Sequence, residues 1–298
     1  GTVAIGNTDT TQIDFEGAIY KFDGATTITG ETGTSDGVID FTAGSATTLT
    51  TYEDTLKFVG GTIDLDASTN LTITSLGGAI EIEGIRGDSD ETITISANKT
   101  GGTTTETLVI GEGGIGNLNE IGTIDLTAAD GITLQGDLAT SDAAVYDITL
   151  TGKVLVEGNV TIDTDDTDGN FDGAIKFTST IDSGSSTGNL TILAGDTAGE
   201  GGLDFEGTIG GTTALGSLNI NATDGDIAFT VPQIGTGLAD GGANDGLGAA
   251  ATAIGNAASG LITLSGSGVA VEYSFSDNVI FKSGTGIKFT GTDPTIDL

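Results

Sequence analysis

The chain has 298 residues, of which 8 are Lys or Arg and 43 are Asp or Glu, so its formal net charge is −35. Cys, His, Met and Trp do not occur, which excludes disulfides, thiolate nucleophiles, Cys-ligated metals and His-based catalysis. The acidic excess argues against nucleic acid and anionic membranes as partners, because both select basic surfaces. No apolar run reaches the roughly 18 residues that a membrane-spanning helix needs, so we expect no membrane span.

The dominant local pattern is a short alternating strand followed by glycine. Apolar residues two positions apart share one face of a strand, and the intervening Thr, Asp, Glu or Lys faces water. A glycine at the end of the strand permits the positive φ of a sharp corner. In chain order, clear examples of this unit are 12–17, 79–84, 131–136, 147–152, 153–158 and 286–291.

These units recur at regular spacings. Some segments align at offsets of 24 or 28 residues, and one pair aligns at 61. A period in the twenties, made of short strands with glycine corners, predicts one turn of a parallel β-solenoid, in which stacked turns bury a continuous core. Tandem pilin-like β-sandwiches that exchange strands are the alternative fold. The aligned pairs are 174–177 with 202–205, 188–192 with 216–220, 202–205 with 226–229, and 61–65 with 122–126.

One segment, about 235–260, is rich in Gly and Ala and loses the period of two. Within it Leu247, Ala251, Ile254 and Ala258 fall at helical spacing, and Asp245 is a candidate N-cap. We therefore expect a loop or short helix inserted outside a single elongated solenoid that spans 1–298. It is either an insertion on a corner or a cap or intersubunit contact.

The densest acidic cluster is the candidate metal site. Alternating aspartates before a glycine can wrap a hard cation, which takes about six to eight oxygen ligands. The spacing fails the EF-hand pattern, because Thr167 occupies a ligand position and no Glu closes the loop. The cluster is therefore either a solvated acidic corner or a weak calcium site, and no other cofactor is expected. The candidate ligands are Asp163, Asp165, Asp166, Asp168, Asn170 and Asp172.

Two further patterns are relevant to receptor binding and to catalysis. Arg86, Gly87 and Asp88 spell a tripeptide known for integrin binding, although a glycine between charges is also what a solenoid corner would carry. Paired carboxylates abound, as a glycosidase needs, but the chain lacks the Trp platforms that usually hold sugars and has no His for a lyase. No phosphate-binding loop, dinucleotide fingerprint or nucleophile elbow occurs. We therefore expect no enzyme, with a carbohydrate-active enzyme as the third alternative.

Three segments, 171–177, 188–192 and above all 207–220, carry a resemblance to a known family. With them the stretch from Gly169 to Val231 resembles the strand-repeat regions of bacterial surface proteins of the filamentous-haemagglutinin type. The resemblance implies a right-handed parallel β-helix on the outside of a cell, which works in adhesion or as a fibre.

Both ends of the chain alternate like core strands, and residues 291–298 echo 7–15. A chain that begins at Gly1 without Met is interpreted as a processed product or as a segment, and secretion followed by cleavage is the preferred interpretation. We predict a secreted, cell-surface structural subunit that assembles head to tail into a filament through its terminal strands. A segment of an adhesin that binds an extracellular glycan or a receptor is the alternative. The expected interface residues are Thr2, Val3, Ile5, Ile13, Phe15, Ile287, Phe289, Ile296 and Leu298.

Overall fold

The protein folds as parallel strands stacked into a right-handed β-solenoid. In the described residues the strands fall into two compact units, 1–141 and 142–298. The prediction of one elongated domain over 1–298 stays a prediction. The computed structural model describes residues 1–31, 37–42, 44, 46–52, 54–88, 90–98, 105–117, 121–141, 144–164, 173–184, 188–194, 202–207, 209–210, 212–213, 215–221, 227–229, 252–254, 261–269, 272–274, 279–281, 283, 286–292 and 295–297.

The first unit repeats three short strands per turn, so that three stacks of parallel strands form. Its strands are β1 (Val3–Gly6), β2 (Gln12–Phe15), β3 (Ile19–Phe22), β4 (Thr26–Thr29), β5 (Gly37–Phe41), β6 (Thr47–Tyr52), β7 (Leu56–Val59), β8 (Gly61–Leu65), β9 (Leu71–Leu76), β10 (Ile80–Arg86), β11 (Ile93–Asn98), β12 (Thr107–Ile115), β13 (Ile124–Ala128), β14 (Gly131–Leu134) and β15 (Leu138–Ala139).

One stack of this unit runs β1–β4–β7, the second β2–β5–β8 and the third β3–β6–β9–β11–β13. The long strand β10 joins the first two stacks, because its start pairs with β7 and its end with β8. Strand β12 then follows β10 along both parts, with a register shift between Ile82 and Gly84.

The second unit repeats the same arrangement. Stacks run β18–β21–β23–β25–β28 and β16–β19–β22–β24–β26–β29, with the parallel pairs β17–β20 and β27–β30. Its strands are β16 (Ile148–Thr151), β17 (Val154–Val156), β18 (Asn159–Asp163), β19 (Ile175–Phe177), β20 (Ile181–Ser183), β21 (Asn189–Leu193), β22 (Leu203–Phe205), β23 (Ser217–Asn221), β24 (Ile227–Phe229), β25 (Thr252–Ile254), β26 (Leu261–Val269), β27 (Glu272–Ser274), β28 (Val279–Phe281), β29 (Gly286–Thr292) and β30 (Thr295–Asp297).

The core is made of ladders of identical or similar apolar side chains. In the third stack of the first unit, Leu49, Ile73 and Ile95 lie in register on successive turns, and each is 0% exposed. In the second unit Phe177 stacks on Phe205 with ring centroids 5.2 Å apart. Such ladders bury apolar area on every turn, and each strand satisfies its backbone through the turns on either side.

The strand pairings confirm the predicted solenoid and exclude the sandwich alternative, because the pairings described within each of the two units are parallel. The offset of 28 is confirmed, since β19 pairs with β22 and β21 with β23 in the predicted registers. The offset of 24 is confirmed by the pairing of β22 with β24. The echo at 61 is not a stacking period, because β8 and β13 belong to different stacks of the same unit.

The segment at about 235–260 lies mostly outside the described residues. Within it the structure describes only Thr252–Ile254, which form β25 and pair in parallel with β23 and β28. Ile254, which the helical spacing included, is therefore part of a strand of the stack. The insertion and its roles as a cap or contact stay predictions for the remaining residues.

Glycines end the predicted units for two different reasons. Gly152 and Gly158 have φ of 120° and 80°, the left-handed corner that the sequence predicts. Gly136 is not among the positive-φ residues, but a Cβ there would lie 2.4 Å from the carbonyl oxygen of Gly111 on the neighbouring turn. At this position glycine is required by the close approach of two backbones.

Candidate functional site

The first turn has an open backbone edge. Strands β1, β2 and β3 pair with β4, β5 and β6, and within the described residues nothing pairs with their other edges. Val3 donates its N–H to the carbonyl oxygen of Ala25 at 2.8 Å, so Val3 is directed towards β4. Alternate residues of a strand bond to opposite neighbours, and Ala4 therefore directs its N–H and C=O to the open edge.

The inward-facing side chains of this turn are incompletely buried. Ile5 and Ile13 are half-buried, whereas their partners on the next turn, Ile28 and Ile39, are both 0% exposed. Val3 is half-buried as well, and Thr2 is exposed just before β1. The difference arises because no further turn lies over the first one in the described residues. The sequence-predicted residues of β1 and β2 are thus brought together on one apolar end surface.

Phe15 differs from the other predicted interface residues, because its own chain covers it. It is 6% exposed, stacks on Phe41 at 4.9 Å and meets the ring of Tyr20 edge-on at 4.9 Å. The Tyr20 hydroxyl accepts a hydrogen bond from the N–H of Gly17 at 2.6 Å, which fixes the ring over Phe15. Sequence reasoning missed Ile19, which is 68% exposed at the start of β3.

The last turn of the second unit presents a similar surface. Strand β29 pairs only with β26 in the described residues, and Ile287 is 42% exposed although its partner Ile262 is 0% exposed. Phe289, two residues further along β29, is half-buried. Ile296 lies in β30 opposite Tyr273 of β27. Leu298 lies outside the described residues, so its predicted place in the interface stays a prediction.

The sides of the solenoid carry ion pairs between successive turns. Lys57 pairs with Glu81, Arg86 with Asp64 at 2.9 Å, Lys153 with Asp182 at 3.0 Å, and Lys176 with Glu206 at 2.6 Å and Asp204 at 3.4 Å. The hydrogen bond to Glu206 is the main cause that raises the pKa of Lys176. With 43 acidic residues against 8 basic ones, Lys and Arg can pair with only a minority of the carboxylates.

Three aspartates follow one another on the outer face of the β2–β5–β8 stack. Asp14, Asp40 and Asp64 lie in register on successive turns. Burial raises the pKa of Asp40, and the charges of Asp66, Asp64 and Asp14 raise it further. The neighbouring carboxylates of this face thus add to the effect of burial on Asp40.

The candidate calcium ligands are only partly described. Asp163 ends β18, and the hydroxyl of the following Thr164 donates a hydrogen bond to the carbonyl oxygen of Gly173 at 2.8 Å. Asp165, Asp166, Asp168, Asn170 and Asp172 lie outside the described residues, so the calcium site stays a prediction. Among the residues that the structure describes, no group of three or more carboxylates is placed to hold a metal ion.

The Arg86–Gly87–Asp88 corner is tied into the solenoid. Arg86 donates a hydrogen bond to Asp64 at 2.9 Å, and the N–H of Asp88 donates to the carboxylate of Glu91 at 2.8 Å. Glu91 is 0% exposed and also accepts the N–H of Ser68 at 3.1 Å. The charge of Arg86 thus joins two turns, and the backbone of Asp88 is held by Glu91, as expected for a solenoid corner.

Comparison with known proteins found no match to a family model, a curated protein or a solved structure. The parallel β-helix implied by the resemblance is present, but nothing links the chain to filamentous-haemagglutinin-type proteins, and that kinship stays a prediction. Within the described part of the chain, no helix is long and apolar enough to cross a membrane.

Proposed function

We propose that this protein is a structural subunit of an extracellular filament. Copies join head to tail when the first turn of one copy, β1 to β3, stacks on the last turn of another, β28 to β30. The observation that carries the proposal is the pair of incompletely buried, open-edged turns at the start of the first unit and at the end of the second.

A second copy is the partner that suits these surfaces best. An open parallel edge accepts a parallel strand, and each end surface offers inward-facing apolar side chains two residues apart, as the internal turns do. They are Val3 and Ile5 in β1, and Ile287 and Phe289 in β29. Joining them would continue the existing ladders across the junction with the same kind of contact. Because the two end surfaces differ, the contact is heterologous and generates an open filament.

The charge of the chain supports association through the ends alone. The sides are negative on every copy, so side-by-side contact is opposed by like-charge repulsion that salt screens over roughly 10 Å at 0.1 M. The end surfaces gain apolar burial at about 25 cal/mol for each Å² removed from water. We further propose that such filaments lie on the outside of a cell and adhere to glycans or receptors, and both proposals depend on filament formation.

Two variants, each with one blocked end, test the proposal. Ile5→Asp places a charge in the first turn, and Ile287→Asp places one in the last turn. We expect wild-type protein to form polymers whose size grows with concentration in sedimentation velocity, and each variant alone to remain monomeric. A mixture of the two should form dimers and nothing larger, because one intact end of each kind remains.

The matched control is Val145→Asp, since Val145 is 48% exposed and lies outside the turns β1 to β3 and β28 to β30. This variant should polymerise like wild type. Deletion of 291–298 removes β30 and the end of β29 and should reduce assembly. Wild type that stays monomeric at high concentration, or blocked variants that polymerise unchanged while folded by circular dichroism, would show that the ends do not join copies.

A further inference from the structure

The third stack of the first unit has an outer face made of hydroxyl side chains over three successive turns. Its strands β6, β9 and β11 contain no charged residue, in a chain whose net charge is −35. The outward positions form two rows that run across the turns in register. One row is Thr48, Thr72 and Thr94, and the other is Thr50, Thr74 and Ser96. We call these six residues the hydroxyl array.

The array is a regular two-dimensional lattice. Neighbouring turns are about 4.8 Å apart, and alternate residues along a strand are about 6.6 Å apart. Directly behind it lie Leu49, Ile73 and Ile95, each 0% exposed, so the sheet has a stiff, close-packed support. Threonine is β-branched, which restricts χ1 and holds its hydroxyl and methyl groups in place.

The hydroxyl groups of the array are available to solvent. Those of the five threonines make no side-chain hydrogen bond to other residues that the structure describes, and all five side chains are half-exposed. Ser96 is the exception, because its hydroxyl accepts a hydrogen bond from the Asn98 amide. At each end of the array one row meets a charged residue, since Lys21 is the register partner of Thr50 and Asp125 that of Thr94. The other row continues with Ile19 beside Thr48 at one end and with Thr127 beside Ser96 at the other.

We propose that the hydroxyl array binds the surface of crystalline ice. The oxygen atoms on the prism faces of hexagonal ice also form a rectangular lattice, whose shorter repeat is close to the spacing between turns and whose longer repeat is somewhat larger than that between alternate residues. Hydroxyl groups held on such a lattice can replace water oxygens of the crystal, and the methyl groups between them order the adjoining water. Because the side chains are already fixed, little conformational entropy is lost when the surface binds.

A regular, uncharged face favours the surface of a crystal over a single soluble glycan chain. Glycan sites are usually concave and are lined by aromatic side chains on which the sugar rings stack. The six residues of the array include no aromatic side chain, and Tyr52 lies beside the array, 41% exposed at the end of β6. Charged groups hold their own hydration shells tightly, and their absence from β6, β9 and β11 leaves the water layer free to take the order of ice.

The test uses the full chain with a fluorescent label and a polished single-crystal ice hemisphere. We expect wild type to adsorb on prism planes and to slow recrystallisation of ice in frozen sucrose. Thr72→Tyr with Thr74→Tyr places bulk in the centre of the array and should abolish both effects. The matched control is Thr62→Tyr, on the outward face of β8 in a different stack, which should keep both effects.

Circular dichroism must show that all variants retain the wild-type fold, and Thr72→Val is a second, milder variant that keeps the shape and removes one hydroxyl. A wild type that leaves ice crystals unlabelled and recrystallisation unchanged overturns the proposal. It is overturned equally if the Tyr variants adsorb like wild type. Binding to insoluble polysaccharide that the Tyr variants lose, without an effect on ice, would instead assign the array to glycans.

Discussion

Replacement of Ile73 by Ala tests the ladder of stacked turns in the first unit. Ile73 is 0% exposed and lies in register between Leu49 and Ile95, so it is enclosed by neighbours on both adjoining turns. Removing three carbon atoms forfeits about 0.8 kcal/mol for each. The cavity adds to this loss, because the turns on either side are held by their own backbone hydrogen bonds and relax little. The free energy of unfolding should therefore fall by about 2–5 kcal/mol.

The matched control is Thr72→Ala in the same strand. Thr72 faces outward, so its replacement should change the free energy of unfolding by no more than about 0.5 kcal/mol. Urea unfolding followed by far-UV circular dichroism measures both values in one series. Equal losses for the two variants, or a greater loss for Thr72→Ala, would refute the inward and outward assignment of β9 and the ladder built on it.

Three further predictions concern charge. Because the folded state raises the pKa of Asp40, protonation of this carboxyl stabilises the fold, and that stabilisation is lost as the pH rises through its folded pKa. Asp40→Asn should therefore be more stable than wild type at neutral pH, by at most about 1 kcal/mol, and this difference should vanish in acid. A variant that is less stable than wild type in thermal melts at pH 7 would contradict the prediction. Lys153→Ala removes the cation beside Asp182, whose side chain is only 2% exposed. The free energy of unfolding, measured by urea titration, should fall by about 1–3 kcal/mol. An unchanged midpoint would show that the backbone N–H groups of Thr212 and Thr213 are enough to stabilise the Asp182 carboxylate. Millimolar calcium should change the melting temperature little, because the cluster 163–172 fails the EF-hand spacing, and a large gain would show a stronger site there.

The sequence predicts the stacking of turns well where the strands repeat with the same side chains. The offset of 28 between 174–177 and 202–205 corresponds to the actual register, because Phe177 and Phe205 occupy the same position on successive turns and stack. The echo at 61 misleads, since 61–65 and 122–126 share an alternation that every inward-facing strand of a solenoid shares. The alternation of apolar and polar residues identifies a strand, but only the register of its pairing shows to which stack the strand belongs.

The end surfaces could be predicted only in part. Alternation marks Val3, Ile5 and Ile13 as inward-facing, and the structure leaves them half-buried as expected for an open turn. The alternation of the sequence does not reveal that Tyr20 lies over Phe15, because that contact depends on the path of the backbone at the Gly17 corner. The hydroxyl array is likewise invisible without registers, since Thr48, Thr72 and Thr94 are 24 and 22 residues apart.

Fibre diffraction from aligned filaments of the wild-type protein tests head-to-tail assembly most directly. If turns of successive copies stack as the turns within each unit do, the strands lie across the filament axis throughout. A reflection at about 4.8 Å should then fall on the meridian. Filaments with that reflection on the equator would show side-by-side assembly, and a protein that forms no filaments at any concentration would contradict the proposed function.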